Sequence, residues 1–89
     1  MQEQEITIIN KLGLHARAAA KLVNTAGAFS SEVFVSKNGQ QVNGKSIMGV
    51  MMLAASKGTT IHLQVSGEDE EAAMQALKDL INDRFGEDE

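Results

Sequence analysis

Two side chains that could act on a phosphoryl group lie close together near the start of the chain, His15 and Arg17, with Ala16 between them. An alanine-rich run follows, so we expect a helix to begin at Ala16, where the first backbone N–H groups lack intrahelical partners and carry partial positive charge. The same field disfavours a protonated imidazole and favours a neutral ring that can attack phosphorus. The N–H groups of Ala16 and Arg17 and the Arg17 guanidinium can then bind the phosphoryl oxygens. Spacing alone also permits a histidine that merely caps or flanks a helix beside a solvated arginine.

The spacing of apolar residues predicts the elements that position this pair, with a period of two in strands and of 3.6 in helices. In chain order we predict a strand over Glu5–Asn10, a helix from Ala16 to a stop at Gly27, strands over Glu32–Lys37 and Gln40–Asn43 joined by Asn38-Gly39, a helix from the N-cap Ser46 to Lys57-Gly58, a strand over Thr59–Ser66, and a helix opened by the acids 68–71. The apolar face of this last helix is predicted to consist of Ala73, Leu77, Leu80, Ile81 and Arg84. The order β-α-β-β-α-β-α predicts an α+β fold, a two-layer sandwich with one sheet face open to water.

Length and composition limit the classes of protein. The chain has 89 residues, which is the size of one domain, so we expect a single domain over 1–89. The absence of cysteine excludes disulfides and thiolate metal sites, and two histidines far apart give no metal-ligand spacing, so His62 is interpreted as ordinary surface. No apolar run approaches the length of a membrane span, and the N-terminal segment lacks the pattern of a signal peptide, so we expect a cytoplasmic protein without a membrane anchor.

Charge argues against a nucleic-acid partner. The formal net charge is -4, and three Phe with neither Trp nor Tyr provide almost no surface on which bases could stack. The charge is unevenly distributed, because residues 58–89 hold nine acidic residues against Lys78 and Arg84. We interpret this acidic C-terminal stretch as a source of solubility, and the mildly basic N-terminal part as able to receive an anion or an acidic partner.

The second predicted helix carries more apolar side chains than one core face can hold. Val50 and Leu53 are expected to face the core, which leaves Ile47, Met48, Met51 and Met52. Methionines that are exposed adapt to several partners, although a helix buried on two sides fits the same periodicity.

The segments GLHARAAAKLV and NGKSIMGVMMLAASKG, together with the acidic terminal helix, resemble the HPr family of histidine-containing phosphocarrier proteins of the bacterial phosphotransferase system. The resemblance covers essentially the whole chain. It implies that His15 is phosphorylated on a ring nitrogen, that Arg17 stabilises the phosphoryl group, and that no cofactor is needed. It also implies an open-faced β-sandwich whose four-stranded antiparallel sheet has the strand order 1-4-2-3.

The resemblance further implies partners. The donor is expected to be the phosphoenolpyruvate-dependent enzyme I and the acceptor a protein of the IIA type. Ile47, Met48 and Met51 are expected to form a docking surface beside His15, with Lys21 and Lys45 as cations at its rim. In Gram-positive relatives a serine in the same context is phosphorylated by a dedicated kinase, so Ser46 is a candidate for regulatory phosphorylation as well as an N-cap.

Ala18 departs from the family pattern, which usually has proline after the arginine. Alanine keeps helix propensity and adds a free N–H near the anion site, so we expect the site to survive the change. The segment A-R-A-A-A and the end DRFGEDE favour a nitrogen-related or regulatory branch of the system over sugar uptake.

Two other functions stay open at this point. A module of the same fold could regulate partners by docking alone, although the presence of His15 argues against members that have lost the histidine. A small ferredoxin-like enzyme could use His15 as a general base, but no Asp, Ser or Cys converges on the ring in the sequence to orient it or be activated by it. We therefore predict a phosphoryl carrier that is a protein substrate of enzymes rather than an enzyme.

Overall fold

A four-stranded antiparallel sheet forms one layer of the molecule, and the helices pack on one of its faces. The computed structural model describes residues 1–89. Its elements are β1 (Gln2–Thr7), α1 (Ala16–Gly27), β2 (Glu32–Lys37), β3 (Gln40–Asn43), α2 (Ile47–Met52), β4 (Thr60–Ser66), α3 (Glu70–Asn82) and a short 3₁₀ turn (Arg84–Gly86). The strand order is β1-β4-β2-β3, which confirms both the two-layer α+β prediction and the order that the resemblance implies.

Alternation along the strands separates a buried face from an exposed one. β2 and β4 turn their valine, isoleucine and leucine side chains toward the helices, where one cluster of 19 buried residues forms the core. Its largest fully buried apolar side chains are Ile8, Leu22, Val33, Val35, Val50, Ile61, Leu63, Val65, Leu77, Ile81 and Phe85. The opposite sheet face carries polar side chains, among them His62, whose Nε2 lies 2.9 Å from Glu3 Oε1. His62 is therefore a surface residue of the open face, as predicted.

The β2–β3 hairpin turns at Asn38 and Gly39, as the sequence predicts. Both residues have a left-handed backbone, with φ of 50° and 84°, which is the requirement of a two-residue type I′ turn. No helix of the molecule is long and apolar enough to cross a membrane.

β1 begins and ends earlier than predicted, because it is an edge strand whose first residues are polar and give no apolar alternation. Its one-to-one pairing with β4 ends at Thr7 opposite Thr60. Ile8 then bonds to two residues, donating to the Thr59 carbonyl at 2.9 Å and accepting from the Gly58 N–H at 2.7 Å. Because Ile8 bonds to two residues of the opposite segment, the one-to-one pairing of β1 with β4 does not continue past Thr7. Residues 8–10 therefore belong to the loop that leads to His15.

α2 is shorter than predicted and stops at Met52 rather than near Gly58. The chain reverses at Ala54, which has a left-handed backbone with φ of 51°. Lys37 supports this reversal, because its Nζ donates to the Leu53 carbonyl at 3.0 Å and to the Ala54 carbonyl at 3.3 Å. The segment after Ala54 then contacts the loop before His15, where the Ala55 carbonyl accepts from the Leu14 N–H. The apolar periodicity beyond Leu53 therefore does not indicate a helix.

The prediction that Arg84 continues the apolar face of α3 is wrong. α3 ends at Asn82, and both Arg84 and Phe85 have φ of 55°, so the chain leaves the helical path. Arg84 is exposed, whereas Phe85 is fully buried in the core.

Asp69 ties the start of α3 to the connection between α1 and β2. Its carboxylate accepts from the backbone N–H groups of Ser30 and Ser31 at 2.9 and 3.0 Å, and also from both serine hydroxyls. The hydrogen bond from the Ser31 hydroxyl, reinforced by the bonds from Ser30 and the Ser31 backbone, lowers the pKa of Asp69 to about 2. Because Ser31 is itself buried, these bonds also satisfy polar groups that water cannot reach.

Candidate functional site

His15 is the N-cap residue of α1, with an extended backbone at φ -69° and ψ 176°. The loop before it is held by contact with the segment after α2, because Leu14 is buried and its N–H donates to the Ala55 carbonyl at 2.8 Å. Gly13 makes this approach close, since its φ is +65° and a Cβ there would lie 2.5 Å from the Ala55 carbonyl oxygen. His15 is thus presented from a position that packing fixes rather than from a free loop.

The first turn of α1 is open beside the His15 ring. The imidazole makes no capping bond to it, and the turn contains no acidic residue. Ala16 and Arg17 are the first two residues of α1, so their N–H groups lack intrahelical partners, and both residues are exposed. A helix end of this kind attracts anions through its unpaired N–H groups and its partial positive charge. The predicted juxtaposition of imidazole and open amides is therefore present.

Arg17 lines the same open depression as His15 and forms neither an ion pair nor a side-chain hydrogen bond. Its guanidinium is thus available to an anion held at the amides of α1. Ala18, where the family usually has proline, is fully buried. Its methyl group faces the core, so the change of residue type does not alter the exposed surface of the site.

A carboxylate that the sequence analysis did not identify contacts His15. Glu87 Oε2 lies 2.5 Å from His15 Nε2, and Glu87 Oε1 accepts from Asn10 Nδ2 at 3.0 Å. Asn10 is fully buried, and its second Nδ2 hydrogen is donated to the Gly13 carbonyl at 2.8 Å. The three side chains form one chain of contacts, from the loop after β1 through the C-terminal segment to the imidazole.

Glu87 is ionised in this position. Burial by itself would raise its pKa, but the hydrogen bonds from His15 and Asn10 outweigh that effect, so the pKa of the Glu87 carboxyl lies below its ordinary value. The carboxylate is thus held as an acceptor of hydrogen bonds on both oxygens.

The segment that carries Glu87 is attached to the molecule on both sides of it. Phe85 is buried, and its carbonyl accepts from Lys21 Nζ at 2.5 Å. Lys11 pairs with Glu89 through the side chains at 3.1 Å and through the backbone at 3.0 Å. Lys21, predicted as a rim cation, is therefore half-buried and bonded to this segment, and part of the acidic end is packed rather than freely solvated.

α2 lies beside α1 and presents an apolar surface. Val50 and Leu53 are buried as predicted, whereas Ile47, Met48 and Met51 are 40%, 70% and 41% exposed. Met52, which the predicted docking surface did not include, is 68% exposed.

Two polar residues border this apolar surface. Ser46 is the N-cap of α2, because its Oγ accepts from the Gly49 N–H at 3.2 Å, which confirms its predicted structural role. The Lys45 side chain is exposed, and its Nζ donates to the Phe29 carbonyl at 2.8 Å.

Comparison with known proteins gives the same result by sequence and by structure. A family model described as the PTS HPr component phosphorylation site matches residues 2–83. The phosphocarrier protein HPr of Neisseria meningitidis serogroup B is 64% identical over 89 residues, with 100% of each chain covered. That of Pseudomonas aeruginosa is 60% identical over 90 residues, again with 100% of each covered. The crystal structure of HPr-C-His from Thermoanaerobacter tengcongensis superposes with a TM-score of 0.97 at 52% identity, covering 100% of both chains.

The matched fold and its relatives define a class of small proteins that carry phosphoryl groups and do not themselves catalyse a reaction. The chain belongs to the HPr family, the phosphocarrier proteins of the phosphotransferase system. The resemblance drawn from the sequence is thereby confirmed, as is the prediction of a carrier rather than an enzyme.

Proposed function

We propose that this HPr-family carrier accepts its phosphoryl group on His15 from an enzyme I-type donor and passes it to a IIA-type acceptor. The observation that carries the proposal is the partly exposed imidazole next to the open first turn of α1. A phosphoryl group on the ring can bind the N–H groups of Ala16 and Arg17 and the free Arg17 guanidinium. Contacts of this kind are worth about 1 kcal/mol each when partly exposed, which retains the group without trapping it.

The surroundings of His15 suit transfer between proteins. The depression beside the ring is shallow and open, so another protein can approach it. The exposed surface of Ile47, Met48 and Met51 on the neighbouring helix is the proposed docking area, with Lys45 at its rim. Adaptable methionine side chains suit a carrier that must bind a donor and an acceptor in turn.

We further propose that the carrier serves a nitrogen-related or regulatory branch of the system within the cytoplasm. Support comes from A-R-A-A-A in α1 and from the acidic end DRFGEDE. The experiment offers the phosphorylated protein to purified IIA-type acceptors of the sugar and the nitrogen-related branches. Faster transfer to the nitrogen-related acceptor is expected, and a preference for the sugar acceptor would reverse the assignment.

The acceptor residue itself is tested by mass spectrometry. Incubation with phosphoenolpyruvate and enzyme I should add one phosphate that is lost in acid, as expected of a phosphohistidine. The His15→Ala variant should show no addition, whereas the matched His62→Ala variant on the open sheet face should be phosphorylated like the parent. An acid-labile phosphate that persists in His15→Ala would refute the proposal.

A second candidate function is regulation by docking, with Ser46 as a kinase-controlled switch. It is favoured by the position of Ser46 directly before the exposed residues of α2. A phosphate on Ser46 would add negative charge to that surface and change its partners. Incubation with an HPr kinase distinguishes this candidate, because the resulting phosphate would resist acid and persist in His15→Ala but not in Ser46→Ala.

A further inference from the structure

The contact between Glu87 and His15 assigns different roles to the two ring nitrogens. A carboxylate can only accept hydrogen bonds, and Glu87 already accepts from Asn10 on its other oxygen. The short contact at Nε2 therefore requires that Nε2 carries the hydrogen. In a neutral imidazole the other nitrogen, Nδ1, then holds the free lone pair.

We propose that Glu87 is a positioning residue for phosphoryl transfer, holding the Nε2–H tautomer of His15 so that Nδ1 faces phosphorus as the nucleophile. The inference rests on the proposed function of His15. It extends that function by giving a carboxylate of the C-terminal segment the role of holding the imidazole for transfer. A carboxylate on the far nitrogen of a histidine fixes both the tautomer and the ring orientation in other catalytic and metal sites.

The transfer step balances with these groups. The Nδ1 lone pair forms a bond to phosphorus, the bond between phosphorus and the donor atom breaks, and the electron pair of that bond stays with the donor. The Nε2 hydrogen remains in place throughout. The ring gains positive charge as Nδ1 bonds to phosphorus, and the Glu87 carboxylate stabilises that charge through Nε2–H.

The structure supplies the support that such a positioning residue needs. Asn10 is fully buried and donates to Glu87 Oε1, the oxygen that does not contact the imidazole. Phe85 and Lys21 hold the chain just before Glu87. The backbone hydrogen bond from the Lys11 N–H to the Glu89 carbonyl, which does not depend on the Glu89 side chain, holds it just after. The carboxylate is thus positioned by residues of the loop after β1, of α1 and of its own segment, although Glu87 is separated from His15 by 72 positions in sequence.

Glu87→Gln is a sharp test because Asn10 requires a hydrogen-bond acceptor at the side chain of residue 87. Asn10 donates with both Nδ2 hydrogens, so the glutamine oxygen is expected to remain opposite Asn10. The glutamine NH₂ group then faces His15 and donates to Nε2, which moves the ring hydrogen to Nδ1. The variant is therefore expected to exchange the tautomer and to remove the lone pair that attacks phosphorus.

Glu89→Gln is the matched control. It removes one negative charge from the same segment, but Glu89 pairs with Lys11 and is largely exposed. The two variants have the same net charge, and only Glu87→Gln replaces a carboxylate that contacts the imidazole.

The tautomer is measured with ¹⁵N-labelled histidine in two-bond ¹H–¹⁵N spectra at about pH 9, where imidazoles are ordinarily neutral. His62, the other histidine of the chain, serves as an internal reference. The parent and the Glu89→Gln control should show Nε2–H at His15, and Glu87→Gln should show Nδ1–H. The rate of phosphorylation by enzyme I should fall in Glu87→Gln alone, on the order of 10- to 100-fold by analogy with the loss of a carboxylate partner from a metal-ligating histidine.

Several results would overturn the proposal. It fails when Glu87→Gln keeps the parent tautomer, when it is phosphorylated at the parent rate, or when Glu89→Gln is slowed equally. A parent protein that shows Nε2–H but accepts no phosphate from enzyme I would instead refute the proposed function of His15. The tautomer and the transfer rate together thus distinguish failure of the role proposed for Glu87 from failure of the function proposed for His15.

Discussion

Replacing Gly13 by alanine should show whether backbone contact fixes the position of His15. Gly13 has φ of +65°, and a Cβ there would lie 2.5 Å from the Ala55 carbonyl oxygen and 2.8 Å from Ser56 Cα. Both neighbours are backbone atoms, so neither can move aside by changing rotamer. The loop has to withdraw, and the 2.8 Å bond from the Leu14 N–H to the Ala55 carbonyl lengthens with it.

The expected loss of stability has two parts. A non-glycine residue in the left-handed region costs about 1–2 kcal/mol. Forced overpacking adds typically about 1–3 kcal/mol. The free energy of unfolding of Gly13→Ala should therefore fall by about 2–5 kcal/mol. Gly39→Ala is the matched control, because Gly39 has φ of +84° but a Cβ there would meet no atom within 4 Å, so it should show the strain alone.

Urea unfolding of the two variants and the parent gives the free energies, and the rate of phosphorylation by enzyme I reports on the site. Gly13→Ala should lose more stability than Gly39→Ala and should be phosphorylated more slowly under conditions where it remains folded. Gly39→Ala should keep the parent rate, since no residue of the hairpin lines the depression beside His15. Equal losses of stability in the two variants, or an unchanged rate in Gly13→Ala, would refute the role given to the Gly13–Ala55 contact.

Four other residues lead to predictions of their own. Ser46→Ala should lower the free energy of unfolding by about 1 kcal/mol, measured by urea unfolding, because the N-cap bond of α2 is lost; an unchanged midpoint would contradict it. The folded-state pKa of Asp69 is about 2 against an ordinary 3.8, so its stabilising contribution is complete above pH 3.8 and is lost as the pH falls toward 2; Asp69→Asn should flatten this acid-side loss in thermal unfolding. Met48→Asp should slow transfer to a IIA-type acceptor on the order of tenfold while leaving the unfolding midpoint unchanged, because Met48 is 70% exposed; parental transfer would remove Met48 from the docking surface. Ala18→Pro should change the phosphorylation rate only slightly, since the Ala18 N–H lies in the first turn and has no intrahelical partner; a large change would show that residue 18 influences the site.

The elements that repeat a simple period were predictable from the sequence. β2, β3 and α1 have the predicted bounds, because alternation, the Asn38-Gly39 turn and the alanine-rich run are local signals. The positions of His15, Ala16 and Arg17 at the start of α1 were predictable for the same reason. Local sequence signals were sufficient wherever the residues that form the pattern also form the predicted element.

The parts that were missed depend on contacts between distant segments. The end of α2 is set by the left-handed backbone at Ala54 and its support from Lys37, neither of which alters the apolar period. The approach of Glu87 to His15 depends on Phe85 entering the core in a left-handed conformation. The composition of an acidic end does not distinguish a solvated segment from a packed one. A lone aromatic residue followed by glycine, as in Phe85-Gly86, was the available signal that the end is anchored.

The last three residues, 87–89, lie after the last helix and strand but include the carboxylate that contacts His15. Their loss would therefore affect the site without removing any element of the fold. Carboxypeptidase trimming that stops after Gly86 would leave Phe85 in the core and every helix and strand intact. The circular dichroism spectrum of such a clipped sample would therefore look normal. The sample would nevertheless lack the carboxylate that contacts the imidazole, so intact mass should be checked before any kinetic comparison of preparations.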